Sequence, residues 1–140
     1  MVVKLDSQAT LGAYSLIEYE HAAGAPGPPA HVHYEHEEAF HVLSGELTVD
    51  IDEQTITIDP GGYAVVPRGA VHRPRNPGLV PVRFFFICSP AMDGFFDEMA
   101  HLNATTGGAP TSQALTELGS RWDSSFVDLP SDSTVPMTVE

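Results

Sequence analysis

The chain has 140 residues, with 6 Lys and Arg against 19 Asp and Glu, for a formal net charge of −13. One domain with one core is what this length supports, and the strong negative charge repels phosphate backbones and anionic lipid surfaces, which excludes nucleic acid and membrane surfaces as expected partners. The opening "MVVKLDSQAT" carries no apolar run of signal-peptide length, and no stretch approaches the roughly 20 apolar residues that span a bilayer, so a cytoplasmic location is expected.

In chain order, short apolar and β-favouring runs come first: residues 13–19, 39–43, 47–51, 55–58, 63–66 and 80–88, divided by Gly, Pro, Asp and Asn. Spacing of this kind predicts a β sandwich or barrel. In "LTVDI" Leu47, Val49 and Ile51 share one face, and Ile56 and Ile58 repeat the pattern in "TITI". Residues 52–54 read as a hairpin turn and Ser44 with Gly45 as another, so the middle of the chain is expected to be an antiparallel meander.

The first 19 residues read as a possible edge strand. A homodimer through edge pairing or strand exchange is one use of such a strand, and staying within its own barrel is the other. Residues 24–30, "GAPGPPA", can be neither helix nor central strand and form a loop.

After Pro90 the pattern changes. Met92, Phe95, Phe96, Met99 and Leu102 fall at helical spacing, with Gly107 and Gly108 beyond the end, and a second short helix starts at Thr111 or Ser112. Both helices are expected to cover an outer face of the β domain, their aromatic and Met stripe serving as core. The last ten residues, 131–140, have little apolar content and read as a mobile tail, leaving 1–130 as the domain. Cys88, inside "RFFFICSP", reads as a buried small hydrophobe rather than a reactive thiol.

The chemistry concentrates in "HVHYEHEEAFHVLSGE", residues 31–46, which holds four of the seven histidines. His31 and His33 are two apart, a step that on a strand turns both imidazoles to one face and lets them converge on one ion. A third ligand must come from further along. In "EAFHVL" Glu38, Phe40 and Val42 form one face and Glu37, Ala39, His41 and Leu43 the other, and alternation alone leaves Glu37 and Glu38 equally eligible.

The two segments that carry these residues resemble the two motifs of the cupin superfamily. Residues 27–45 match its first motif, with His31 and His33 as the His-x-His pair, Glu38 and then Gly45; Gly27 stands one residue nearer His31 than is usual. Residues 61–76, "GGYAVVPRGAVHRPRN", match the second through Gly61, Pro67, Gly69, His72 and Asn76 with every spacing kept. The resemblance implies an all-β cupin fold, a double-stranded β-helix or jelly-roll barrel, followed by one or two short C-terminal helices. It implies His31, His33, Glu38 and His72 as ligands of one divalent transition metal ion, with Glu35, His36, Glu37 and His41 left out. Three imidazoles and a carboxylate suit Fe, Mn, Ni, Co or Zn. His21, His36 and His101 are expected at the surface, and His41 pointing away from the metal.

The run "EEAFHVLSGELTV", the second motif and the helix "DGFFDEMA" further resemble small bacterial monocupins of the quercetin 2,3-dioxygenase type. That resemblance implies a dioxygenase acting with O2 on a flat aromatic or enolic compound, with Glu38 as ligand and catalytic base. The substrate pocket is expected among Phe40, Val42, Tyr63, Val65, Phe84 and Phe86. A non-oxidative cupin enzyme, an isomerase or polyketide cyclase, and a cupin that binds a small molecule without catalysis are the competing readings.

Overall fold

The computed structural model describes residues 1–130 and Val135. Its strands are β1 (Val2–Leu5), β2 (Ser15–His21), β3 (His31–Val32), β4 (Glu37–Ser44), β5 (Leu47–Ile51), β6 (Gln54–Ile58), β7 (Tyr63–Val66), β8 (His72–Arg75), β9 (Val82–Ser89) and β10 (Ser125–Phe126), with helices α1 (Asp93–Thr106) and α2 (Ser112–Arg121). The strands form two five-stranded sheets, β1-β2-β9-β4-β7 and β10-β3-β8-β5-β6, antiparallel throughout. This is the jelly-roll expected from the sequence, with two short helices after it.

Alternation builds the core between the sheets. In β9 Val82, Phe84, Phe86 and Cys88 are buried while Arg83 is exposed and Phe85 and Ile87 are half-buried. In β4 the same period turns Glu38, Phe40 and Val42 inward. Leu47, Val49 and Ile58 face them from the other sheet.

The expected meander is not what forms. From β4 to β7 only β5 and β6 make a hairpin, closed by Asp52 and Glu53, because Gln54 already pairs with Ile51. β4 and β5 lie in different sheets, as do β6 and β7, so the chain crosses the core at each connection. Gly45 makes the first crossing possible: its φ is +73°, and a Cβ there would stand 2.5 Å from Pro81 O. Short local spacing looks alike whether consecutive strands pair or face each other, and the pattern carries no sign of which.

The first strand pairs with β2 at a sheet edge, Val3 opposite Ile17. α1 sends Phe95 and Met99 and α2 sends Leu115 and Leu118 into the same core cluster as the sheets. Thr111 caps α2 by accepting the Ala114 amide, and Gly107, with φ +71°, ends α1. The expected tail falls on residues outside those described except Val135, which is buried and donates its amide to Pro110 O. Among the described residues no helix is long and apolar enough to cross a membrane.

Candidate metal centre

Three strands, β3, β4 and β8, and the turn that follows β3 bring the donor atoms together. His31 in β3 pairs directly with His72 in β8, their ring centroids 4.3 Å apart, and His33 follows β3 with its ring 5.0 Å from His31 and 5.4 Å from His72. Glu38 reaches in from the opposite sheet. One donor atom from each of the four lies within 4.8 Å of every other, and all four residues are buried. Alternation in β4 settles what the sequence left open: Glu38 faces the histidines and Glu37 faces solvent.

Backbone carbonyls fix the histidine tautomers. Nδ1 of His31 donates to Pro29 O at 2.9 Å, Nδ1 of His33 to Asp123 O at 2.7 Å, and Nδ1 of His72 to Ala70 O at 3.1 Å. A carbonyl can only accept, so each Nδ1 carries a proton, and in its neutral form each ring presents a bare Nε2. Nε2 of His33 and of His72 lie 2.9 Å from the two oxygens of Glu38. His33 Nε2 makes no hydrogen bond of acceptable geometry among the described residues despite that approach. Lone pairs facing a buried carboxylate at this distance call for protons on the rings or a cation between them. Three neutral imidazoles and a carboxylate, already oriented from behind, are a donor set that fits a divalent transition metal.

The local fields push the two β3-side rings in opposite directions. Burial, followed by His72, pushes His31 down to about 3 and favours its neutral ring. Burial would raise Glu38, but the imidazoles of His33 and His72 outweigh it and hold the carboxyl well below the usual range. For His33 burial acts downward, and Glu38 with Asp123 more than offsets it and raises the ring.

The remaining acidic and imidazole groups are elsewhere. Glu35 is exposed, and His41 lies on the outer side of β4, stacked on Phe85 at 6.5 Å. His101 is exposed as expected. His36 is not a surface residue: its side chain is only 12% exposed and its Nδ1 donates to Asp123 Oδ2. His21 is also buried, edge-on to Tyr19 and Phe84, because the inward face of β2 ends on it.

A cavity of about 90 Å³ opens beside these four residues. Phe40, Phe84 and Phe86 line it. Val42 is sealed in the core, and Tyr63 and Val65 stand 76% and 55% exposed on the outer side of β7, so these three do not line it. The alternation of β7 buries Ala64 and Val66 instead. Met92, Phe95 and Phe96 from the start of α1, and Phe126 from β10, complete the wall. No described lining residue is Lys or Arg.

Two residues to which sequence reasoning gave no role in the site hold it together. Asn76 is buried, donates through Nδ2 to His21 O, Ala22 O and Val80 O, and accepts from the Gly78 amide, tying the loops around the cavity. Its motif position was the available signal. Asp123, which had none, is bonded to the turn between His33 and Glu38.

Comparison with known proteins gives a consistent picture. The sequence model of the cupin domain matches residues 17–88, just over half of the chain. A curated protein of Aquifex aeolicus (strain VF5), described as uncharacterized, is 36% identical over 64 residues, 46% of this chain and 52% of the relative, so the match spans about half of that relative's length. Among solved structures, a protein from Thermus thermophilus is similar with a TM-score of 0.53 at 25% identity, over 57% of this chain and 75% of that one. A sugar phosphate isomerase of the cupin superfamily from Silicibacter pomeroyi is similar in fold, with a TM-score of 0.54 at 23% identity over 62% of this chain and 57% of that one.

Proposed function

Because the chain belongs to the cupin family, by a domain match over residues 17–88, we propose that it is a metal-dependent dioxygenase acting on a small, flat aromatic or enolic compound with O2. The observation that carries this reading is the buried set of His31, His33, Glu38 and His72 opening onto an aromatic cavity without a cationic wall.

These four residues would hold one divalent ion, which supplies Lewis acidity toward an enolate oxygen and, when redox-active, reactivity toward O2. Glu38 is the one anionic group of the set and serves as base, taking the enol proton on a carboxylate oxygen that its hold on the ion leaves available. Phe40, Phe84, Phe86 and Phe96 hold the ring by stacking and keep water from the reacting atoms. The cavity volume is small against the roughly 300–1,000 Å³ typical of pockets for drug-sized ligands, which favours a single-ring substrate over a three-ring flavonol.

The fold shared with the Silicibacter pomeroyi sugar phosphate isomerase does not bring its substrate here. A phosphate needs cationic or amide donors; among the described residues Arg73 and Arg75 are engaged by Asp50 and Arg83 by Glu18, none of them on the cavity. The test is oxygen uptake by protein loaded in turn with Fe, Mn, Ni, Co and Zn, against a panel of single-ring enols, catechols and flavonols. Uptake with a single-ring enolic compound and a redox metal is the expected result. Turnover of such a compound without O2, or equally well with Zn, would replace the dioxygenase reading with an isomerase or cyclase.

A further inference from the structure

The family match ends at residue 88, yet two of the four ligands are held from behind by a segment more than thirty residues beyond it. After α2 the chain returns along β3. Ser125 pairs with Val32 and Phe126 with His31, the Val127 amide donates to Ala30 O, and the Phe126 ring sits 5.8 Å from that of His31.

Asp123 lies at the centre of this return. Its Oδ1 accepts the Tyr34 amide at 3.1 Å, and its Oδ2 accepts the amides of Glu35 at 2.6 Å and His36 at 3.1 Å together with His36 Nδ1 at 2.9 Å. Its carbonyl accepts Nδ1 of His33. With φ at +52° the one residue presents carbonyl and carboxylate to the same loop.

We infer that residues 122–127 form a clasp that positions the metal centre, and that Asp123, by fixing the His33 ring and the turn between His33 and Glu38, sets how tightly and for how long the ion is held. The inference rests on the metal reading above and concerns the ion's retention, not the reaction. Three consecutive amides of that turn find their acceptor on Asp123, so losing its carboxylate frees the chain between two ligands and returns its conformational entropy.

The clasp is itself anchored. Trp122 donates Nε1 to Glu98 Oε1 at 3.1 Å, and its ring crosses α1 at Gly94, where a Cβ would stand 2.3 Å from it. The chain turns back over Gly119, where a Cβ would stand 2.2 Å from Ser124 O. Both helices are therefore shaped to let the clasp reach the ligands.

The experiment is Co2+ titration of metal-free full-length protein, wild type against Asp123→Asn and Asp123→Ala. Visible absorption reports the ligand field, a chelator chase the release rate, and deuterium exchange the amides of residues 34–36. Both variants are expected to bind Co2+ about 10- to 100-fold more weakly, to release it faster, to shift the visible bands and to exchange those amides faster. Asp123→Asn, isosteric, is expected to keep a metal-free melting temperature near that of the wild type and to fall between the other two in affinity.

Wild-type affinity, release and spectrum in both variants would overturn the inference. So would a loss of affinity matched in both variants by a loss of the metal-free fold, since that is what a purely structural aspartate gives. A wild type that takes up no Co2+ would remove the metal reading itself, and the clasp's role with it.

Discussion

At Gly27 backbone conformation and contact impose the same residue. Its φ is +72°, and a Cβ would stand 1.8 Å from Pro74 O in the strand that carries His72, so Gly27→Ala must move either the loop that leads to His31 or the neighbour of a ligand. We expect that substitution to destabilise the protein by on the order of 3 kcal/mol, measured by urea unfolding. Cys88 shows the opposite kind of residue, present for its size. It is fully buried, its thiol donating to Met92 Sδ, and burial followed by the charge of Glu38 pushes the thiol far up. A thiol-specific alkylating reagent at mildly alkaline pH is expected to leave native protein unlabelled and to label it fully in denaturant; native labelling at the denatured rate would contradict this burial.

Elements differ in how much of them their own residues announce. β4 and β9 were legible because strict alternation divides them into a buried and an outer face, and α2 because Thr111 is a cap and Leu115 and Leu118 follow at helical spacing. The grouping of His31, His33, Glu38 and His72 was legible through motif spacing, since alternation alone did not separate Glu37 from Glu38. Pairing was not legible. The β4–β5 connection crosses between sheets instead of folding into a hairpin, and His21 is buried and His36 half-buried by partners distant in sequence, Phe84 and Asp123. The wall from α1 and the clasp were hidden for the same reason, as both depend on contacts between segments far apart in the chain.

The outer side of the second sheet carries a prediction of its own. Asp50 on β5 accepts from Arg75 and Arg73 on β8 and from Thr55 on β6. The bond from Arg75, first, and those from Thr55 and Arg73 hold its carboxyl well below the ordinary aspartate value. A depressed folded pKa means stability that is present above the unfolded value near about 4 and lost as the pH falls below it. Asp50→Asn is therefore expected to cost about 1 kcal/mol at neutral pH in urea unfolding, for a cluster this exposed, with the gap to wild type closing as the pH is lowered below about 4. A gap that stays constant from neutral pH down into strong acid would contradict the assignment.

At the scale of the whole molecule, a buried carboxylate facing buried imidazoles would tie a bound metal to folding. An ion that binds the native state and not the unfolded chain stabilises by about 2.7 kcal/mol at a hundredfold excess over its Kd, so added Co2+ or Zn2+ is expected to raise the melting temperature of metal-free protein and a chelator to reverse it. The same linkage makes the four ligands separable from their neighbours. The measurement that tests the central claim most directly is the metal content of purified protein after reconstitution and dialysis, by elemental analysis, for the wild type and for His33→Ala, His72→Ala, His36→Ala and His41→Ala. The account predicts close to one divalent ion per chain in the wild type and in the His36 and His41 variants, and loss of the ion in the His33 and His72 variants. Retention by His72→Ala together with loss by His36→Ala, or no ion in the wild type, would contradict it.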